Sequence, residues 1–168
     1  FFVIGEGEEV TQEILELYRR AKKEQWEKAE FLRAVSKIKG VYVPSFYEHS
    51  YYEDGTLARI EAKEGAPCQV EKRIVENLDE AYFPTDMIVP NTEIVHDRCN
   101  LEVMRGCIRG CRFCQAGFTY RPVRPRKPQT LLKQSVKCLE NSGYHEITLS
   151  SLSTSDYYAL EELAGGML

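Results

Sequence analysis

Apolar residues along the chain follow different periods in turn. Phe1-Phe2-Val3-Ile4 is an unbroken apolar run that stops at Gly5-Glu6-Gly7-Glu8, which predicts a short buried strand, a tight turn and a helix beyond it. Val10, Ile14, Leu17 and Ala21 then recur at helical spacing. Ala29, Leu32 and Val35 extend that period to a stop at Lys37-Ile38-Lys39-Gly40. Val41-Tyr42-Val43 and Thr56-Leu57-Ala58-Arg59-Ile60 flank Asp54-Gly55, a turn of the kind hairpins prefer, so a β-hairpin is predicted between Val41 and Ala62. Tyr42, Tyr47, Tyr51 and Tyr52 in this stretch read as ordinary strand formers. Val70 to Val75 adds a candidate strand, and Pro84 and Pro90 favour an extended connector after it.

The last third predicts a strand over Leu101-Glu102-Val103-Met104 and a helix from Pro128 to Ser142. That helix carries Leu131, Leu132, Val136 and Leu139 on one face, with Gly143 as its stop. Ile147-Thr148-Leu149 is a second strand, and Ser153 to Asp156 supplies N-cap residues for another helix. Strand, loop, helix, strand, helix makes one parallel βα unit and the start of the next. In barrels built this way the loops at the carboxyl ends of the strands host the active site. The loop after the first strand and Ser150-Ser151-Leu152 are therefore expected side by side.

A chain of 168 residues with net charge −4 is not a uniformly basic nucleic-acid binder. No apolar run is long enough for a bilayer span or a signal peptide, so a cytoplasmic location without a membrane partner is expected. Six cysteines in that setting read as metal ligands and core thiols rather than disulfides. The sequence opens inside an apolar run at Phe1, as a piece of a longer chain would.

Candidate chemistry concentrates in Cys107, Cys111 and Cys114, spaced C-x3-C-x2-C with no histidine, aspartate or glutamate among them. A structural zinc site is closed by four ligands, usually in two separated pairs. Three crowded thiolates suit an iron–sulfur cluster instead, and three ligands to a four-iron cluster leave one iron open. Cys99 lies at the far end of its strand, roughly 15 Å from the loop; Cys138 falls on the helix beside Leu131, and Cys68 has no partner spacing. None of the three is expected to be a ligand. Between Arg105 and Lys127 stand seven basic residues and no acid, a local positive field suited to thiolates, a carboxylate or a phosphate. His96 and His145 stand at strand starts and read as structural.

The cysteine spacing, with aromatic Phe113 just before the last cysteine, resembles the signature of the radical S-adenosylmethionine (SAM) superfamily. The resemblance implies a [4Fe–4S] cluster on Cys107, Cys111 and Cys114 and chelation of the open iron by the amino and carboxylate groups of SAM. Reduction would then cleave SAM to a 5′-deoxyadenosyl radical. It further implies that Phe113 flanks the adenine, that Ser150 and Ser151 stand on the SAM side where many members carry Gly-Gly-Glu, and that Arg126 is a candidate for holding a carboxylate. A reductant such as flavodoxin or ferredoxin would be a partner. No catalytic residue is singled out.

Over its whole length the chain is similar to fused proteins in which a cobalamin-binding domain precedes a radical SAM core. The likeness is carried by Gly5-Glu6-Gly7-Glu8, Gly40 to Pro44, Val95 to Arg98, Glu102 to Phe118, Tyr120 to Arg124 and Leu149 to Tyr157. It implies an α/β fold in three segments. Residues 1–40 would end a Rossmann-like cobalamin-binding domain, 41–92 would form a β-rich bridge, and 93–168 would begin the radical SAM (βα) barrel. Gly5 and Gly7 would admit the cobalamin tail, and methylation would follow if that cofactor is bound. Residues 121–128 and 147–157 are more distantly similar to methylthiotransferases acting on tRNA bases or a ribosomal protein, which makes RNA or a ribosomal component a candidate substrate. The alternatives are a zinc-binding structural or nucleic-acid-binding cysteine module and an electron-transfer iron–sulfur protein. The piece alone is expected to be inactive.

Overall fold

Helix formation in the first third follows the apolar spacing. In the computed structural model, which describes residues 1–92 and 94–167, α1 spans Glu8–Lys23 and α2 spans Lys28–Val35. Glu93 and Leu168, the end residues of the segment 93–168 named above, lie outside the described residues. Acids Glu8 and Glu9 in the first turn of α1, and Arg20, Lys22 and Lys23 in its last, complement the helix dipole. The chain divides into two units, Phe1–Val75 and Glu76–Leu168. The stretch 41–92 is thereby shared, its hairpin in the first unit and Pro84 and Pro90 in the second.

In the first unit Val10, Val35, Val41, Val43 and Phe46 form the core, with Ile14, Leu17 and Leu32 packed around it. Strand β1, Phe2–Val3, pairs antiparallel with β2, Val41–Tyr42. The opening run is thus a strand, but it is not buried: Phe2 is 63% exposed within this unit. The hairpin forms around Asp54-Gly55 from β3, Tyr47–Tyr51, and β4, Leu57–Ala62. Its first arm is not Val41-Tyr42-Val43, because a 3-10 turn at Pro44–Phe46 separates those residues and leaves them to β1. The Asp54 carboxylate accepts from Thr56 N–H at 2.9 Å and from its hydroxyl at 2.7 Å, which fixes the turn.

Val70 to Val75 makes a single bridge, Arg73 to Gly5, and no strand. The Arg73 guanidinium reaches Glu9 at 2.7 Å and Glu13 at 2.5 Å on α1. Gly5 has φ +110°, and a Cβ there would lie 2.2 Å from the Arg73 carbonyl oxygen. The glycine is required by protein backbone crossing it.

In the second unit β5, Cys99–Glu102, buries alternate residues: Cys99 and Leu101 are fully enclosed while Asn100 is exposed. It continues into β6, Met104–Arg105, and after a long excursion the chain returns as β7, Arg124–Pro125. A short helix α3, Ala116–Thr119, lies within the excursion. Helix α4 spans Pro128–Ser142 and ends at a left-handed Gly143, matching the spacing. Its buried face is Leu131, Ser135 and Cys138; Val136, expected on it, is 54% exposed because it falls on the opposite side of that row. Strand β8, Ile147–Ser150, pairs parallel with β5 from Cys99↔Ile147 to Glu102↔Ser150. Thr154–Asp156 is a 3-10 turn, and α5 begins only at Leu160, running to Met167.

The βα unit read from the sequence is therefore present, and the fold is mixed α/β. Among the described residues no helix is long and apolar enough to cross a membrane. Leu131 is fully buried among Cys99, Leu101, Val103 and Leu163. Leu131→Ala is expected to destabilise the second unit by about 2–5 kcal/mol, read as a lowered urea midpoint.

Candidate functional site

Glu102 ends β5, and the chain then turns outwards. β6 and β7 pair antiparallel, Met104↔Pro125 and Arg105↔Arg124. The cysteines thus lie in an excursion, residues 106–123, closed at its base by a two-stranded ribbon. At the closure Gly106 has φ +89°, and a Cβ would meet the carbonyl oxygens of Pro122 at 2.7 Å and Tyr120 at 2.9 Å. Only glycine lets the outgoing and returning backbones cross there.

Ionic contacts brace the base. Arg105 makes a two-pronged bond to the Glu102 carboxylate, 2.9 Å on each side. Arg126, 1% exposed, donates to the Glu102 carbonyl at 3.1 Å and its carboxylate at 3.3 Å, and also to the Leu78 carbonyl. Its own carbonyl accepts from the Tyr157 hydroxyl at 2.7 Å. Burial lowers the Arg126 pKa against the pull of Glu102. Burial also works to raise the Glu102 carboxyl, but hydrogen bonds and charge from Arg105, joined by Arg126, outweigh it and hold it below its ordinary range. Arg126, expected to face a cofactor, is instead enclosed with its donors directed at protein groups. Charge counted along a sequence does not say which side chains are buried.

Cys107 is 8% exposed and its sulfur accepts from the Arg109 N–H at 3.4 Å. Cys114 is half-buried, its sulfur accepting from the Gly117 N–H on α3 at 3.4 Å. Cys111 is exposed, and its carbonyl accepts from the Cys114 N–H at 3.0 Å. Among the described residues no three histidine, cysteine or carboxylate side chains converge as a metal set. The donor chemistry nevertheless fits a cluster: three thiol side chains on one short loop, two of them met by backbone N–H groups. Cys99 is buried against Ser142, Cys138 lies in the same core, and Cys68 is exposed on the first unit.

Ser150 and Ser151 stand beside the excursion. With Leu152, Glu102, Met104, Arg105, Gly106 and Tyr120 they line a cleft of about 350 Å³ at the carboxyl ends of the parallel pair. The Ser150 carbonyl accepts from Val103 N–H at 3.0 Å. The Ser151 hydroxyl contacts that of Thr154 at 3.0 Å and accepts from Ser153 N–H at 3.2 Å. Phe113 is 92% exposed. Gly7 caps α1 at ordinary φ −94° in the other unit, where Gly5 also lies.

The sequence reading missed the partners of the basic loop. Arg109 donates from Nε to the Asp156 carboxylate at 2.7 Å and makes a second bond from its terminal nitrogen; Ser153 also donates to Asp156. The hydrogen bond from Arg109, then that from Ser153, holds the Asp156 carboxyl below its usual range. Arg121 lies over the Phe118 ring at 4.7 Å. Glu102 stands three residues before Arg105 and was within reach of a local reading, whereas Asp156 lies 47 residues beyond Arg109 and had no local signal.

Gly106→Ala is expected to cost about 1–3 kcal/mol and to open the loop base, seen as faster hydrogen exchange over residues 104–106 and 122–125. Glu102 titrates below its ordinary value when folded, so its contribution is present above the unfolded pKa and is lost as pH falls through the folded one. Acid unfolding curves of Glu102→Gln should lack that component.

Residues 1–44 match a family model described as radical SAM proteins, N-terminal. A tRNA-2-methylthio-N(6)-dimethylallyladenosine synthase of Staphylococcus epidermidis RP62A is 27% identical over 116 residues, covering 69% of this chain and 19% of that protein. The synthase of the same name from Hydrogenobaculum sp. Y04AAS1 is 34% identical over 92 residues, 53% of this chain and 21% of that protein. The chain thus spans about a fifth of the length of these relatives. No solved structure matches it. By its N-terminal match and its likeness to these synthases, the chain resembles the radical SAM superfamily.

Proposed function

We propose that the chain is part of a radical SAM enzyme in which Cys107, Cys111 and Cys114 hold a [4Fe–4S] cluster and SAM occupies the cleft beside them. The observation that carries this reading is the juxtaposition of the cysteine excursion and Ser150-Ser151-Leu152 at the carboxyl ends of β5 and β8, the end at which parallel α/β folds place ligands. Such a cluster, when bound, supplies an electron that splits a carbon–sulfur bond of SAM into methionine and a 5′-deoxyadenosyl radical.

The chain's own residues bind and orient. Cys107 offers an enclosed sulfur and Cys111 an exposed one. Phe113 presents an open ring for the adenine. Ser150 and Ser151 form the facing rim; since the Ser151 hydroxyl is engaged by Thr154, its backbone is the group left to meet the SAM ammonium or carboxylate. Residues 93–168 are assigned to the N-terminal part of the radical SAM core, served by a low-potential donor such as flavodoxin or ferredoxin. RNA is the substrate class of the whole protein on this reading, in keeping with the tRNA named for its relatives. Cobalamin-dependent methylation is left out of it, because Arg73 closes on Gly5 where a cofactor tail was expected.

The test uses the protein that carries this chain, reconstituted without oxygen with iron and sulfide and then reduced. A [4Fe–4S]⁺ paramagnetic resonance signal is expected that changes when SAM is added, with release of 5′-deoxyadenosine and methionine. Cys107→Ala, Cys111→Ala and Cys114→Ala should each abolish the signal's response to SAM. A signal indifferent to SAM would favour an electron carrier, and stoichiometric zinc without sulfide would refute the reading.

A further inference from the structure

We propose that Asp156 is a positioning residue for the cysteine loop, acting through Arg109 to hold the segment between Cys107 and Cys111 against the turn that follows β8. The significance for a cluster rests on the function proposed above; the clamp itself rests on geometry. Arg109 is the middle of the three residues between those two cysteines, and its backbone N–H donates to the Cys107 sulfur at 3.4 Å. Its side chain crosses to Asp156 as a two-pronged bond, with Nε at 2.7 Å from one carboxylate oxygen.

Asp156 is well placed to anchor. Its side chain is 10% exposed, against 59% for Arg109, so the carboxylate is the fixed half of the pair and the arginine the arm. Ser153 donates to the same carboxylate, and the Asp156 N–H bonds the Ser153 carbonyl at 2.9 Å. Ser151, Ser153 and Thr154 hold each other in the same turn. Tyr157, the next residue, is buried and bonded to the Arg126 carbonyl. A rigid turn therefore grips the loop at one residue, and that residue also presents an N–H to a thiol. A planar guanidinium on a carboxylate fixes direction as well as distance. The pair thereby sets the orientation of Cys107 relative to the Ser150–Leu152 side of the cleft.

Thiol protection tests the clamp without a cluster. In the metal-free protein, alkylation of each cysteine is followed by mass spectrometry. Cys107 is enclosed and Cys111 exposed, so Cys111 reports reagent reactivity; Cys99 and Cys138, both in the core, report that the second unit stays folded. Asp156→Asn and Arg109→Met are each expected to speed Cys107 alkylation about tenfold by local opening, with Cys111, Cys99 and Cys138 unchanged. The charge-swapped double variant, Arg109→Asp with Asp156→Arg, should restore part of the protection, which a merely structural turn residue would not do. Unchanged Cys107 protection in both single variants, or no recovery in the double variant, overturns the proposal. In the reconstituted protein the single variants should keep a cluster signal whose response to SAM is altered. If the wild type assembles no cluster while the alkylation pattern holds, the functional reading fails and the clamp stands.

Discussion

A buried guanidinium ties the second unit together. Arg126 sits at the junction of three segments: the end of β5 through Glu102, the connector through the Leu78 carbonyl, and the turn before α5 through Tyr157. A charge in that position is costly to desolvate and tolerable only with its partners in place. The consequence is geometric. Glu102 is fixed from one side by Arg126, and so is able to fix Arg105 on the other. The ribbon of β6 and β7 therefore leaves the sheet in one direction, and the cysteine excursion begins from a defined point.

What the sequence made legible was whatever had length or period. Helix α4 and strand β8 were readable because fifteen residues of helical spacing and a short apolar strand, separated by Gly143, leave few alternatives. The ribbon β6–β7 has two residues on each arm and no period, and it is specified by the crossing at Gly106 rather than by local propensity. The hairpin shows the same division: Asp54-Gly55 announced the turn, but which of two tyrosine-bearing segments paired with Leu57–Ala62 depended on the 3-10 turn at Pro44–Phe46.

The candidate site was legible in its sulfur atoms and much less in its ions. Cys107, Cys111 and Cys114 carry their meaning in spacing alone, whereas Arg105, Arg109 and Arg126 look alike in a sequence and differ entirely in space. One faces the base of the loop, one reaches to Asp156 and one is interior. The same holds for the glycines near the N-terminus. Gly5 has a protein neighbour at 2.2 Å from where its Cβ would stand, a reason for glycine that long-range backbone contact supplies and local sequence does not.

The closed base of residues 106–123 bears on how the loop meets whatever it holds. Drawing the ends of a flexible segment together costs entropy that rises with its length. Here Met104–Arg105 and Arg124–Pro125 meet that cost through their own pairing, before any ligand arrives. The loop is then a ring hinged on a finished scaffold: apart from its cysteines, Gly106 and the Arg109 arm to Asp156, its residues can be exchanged by design without asking the surrounding domain to refold.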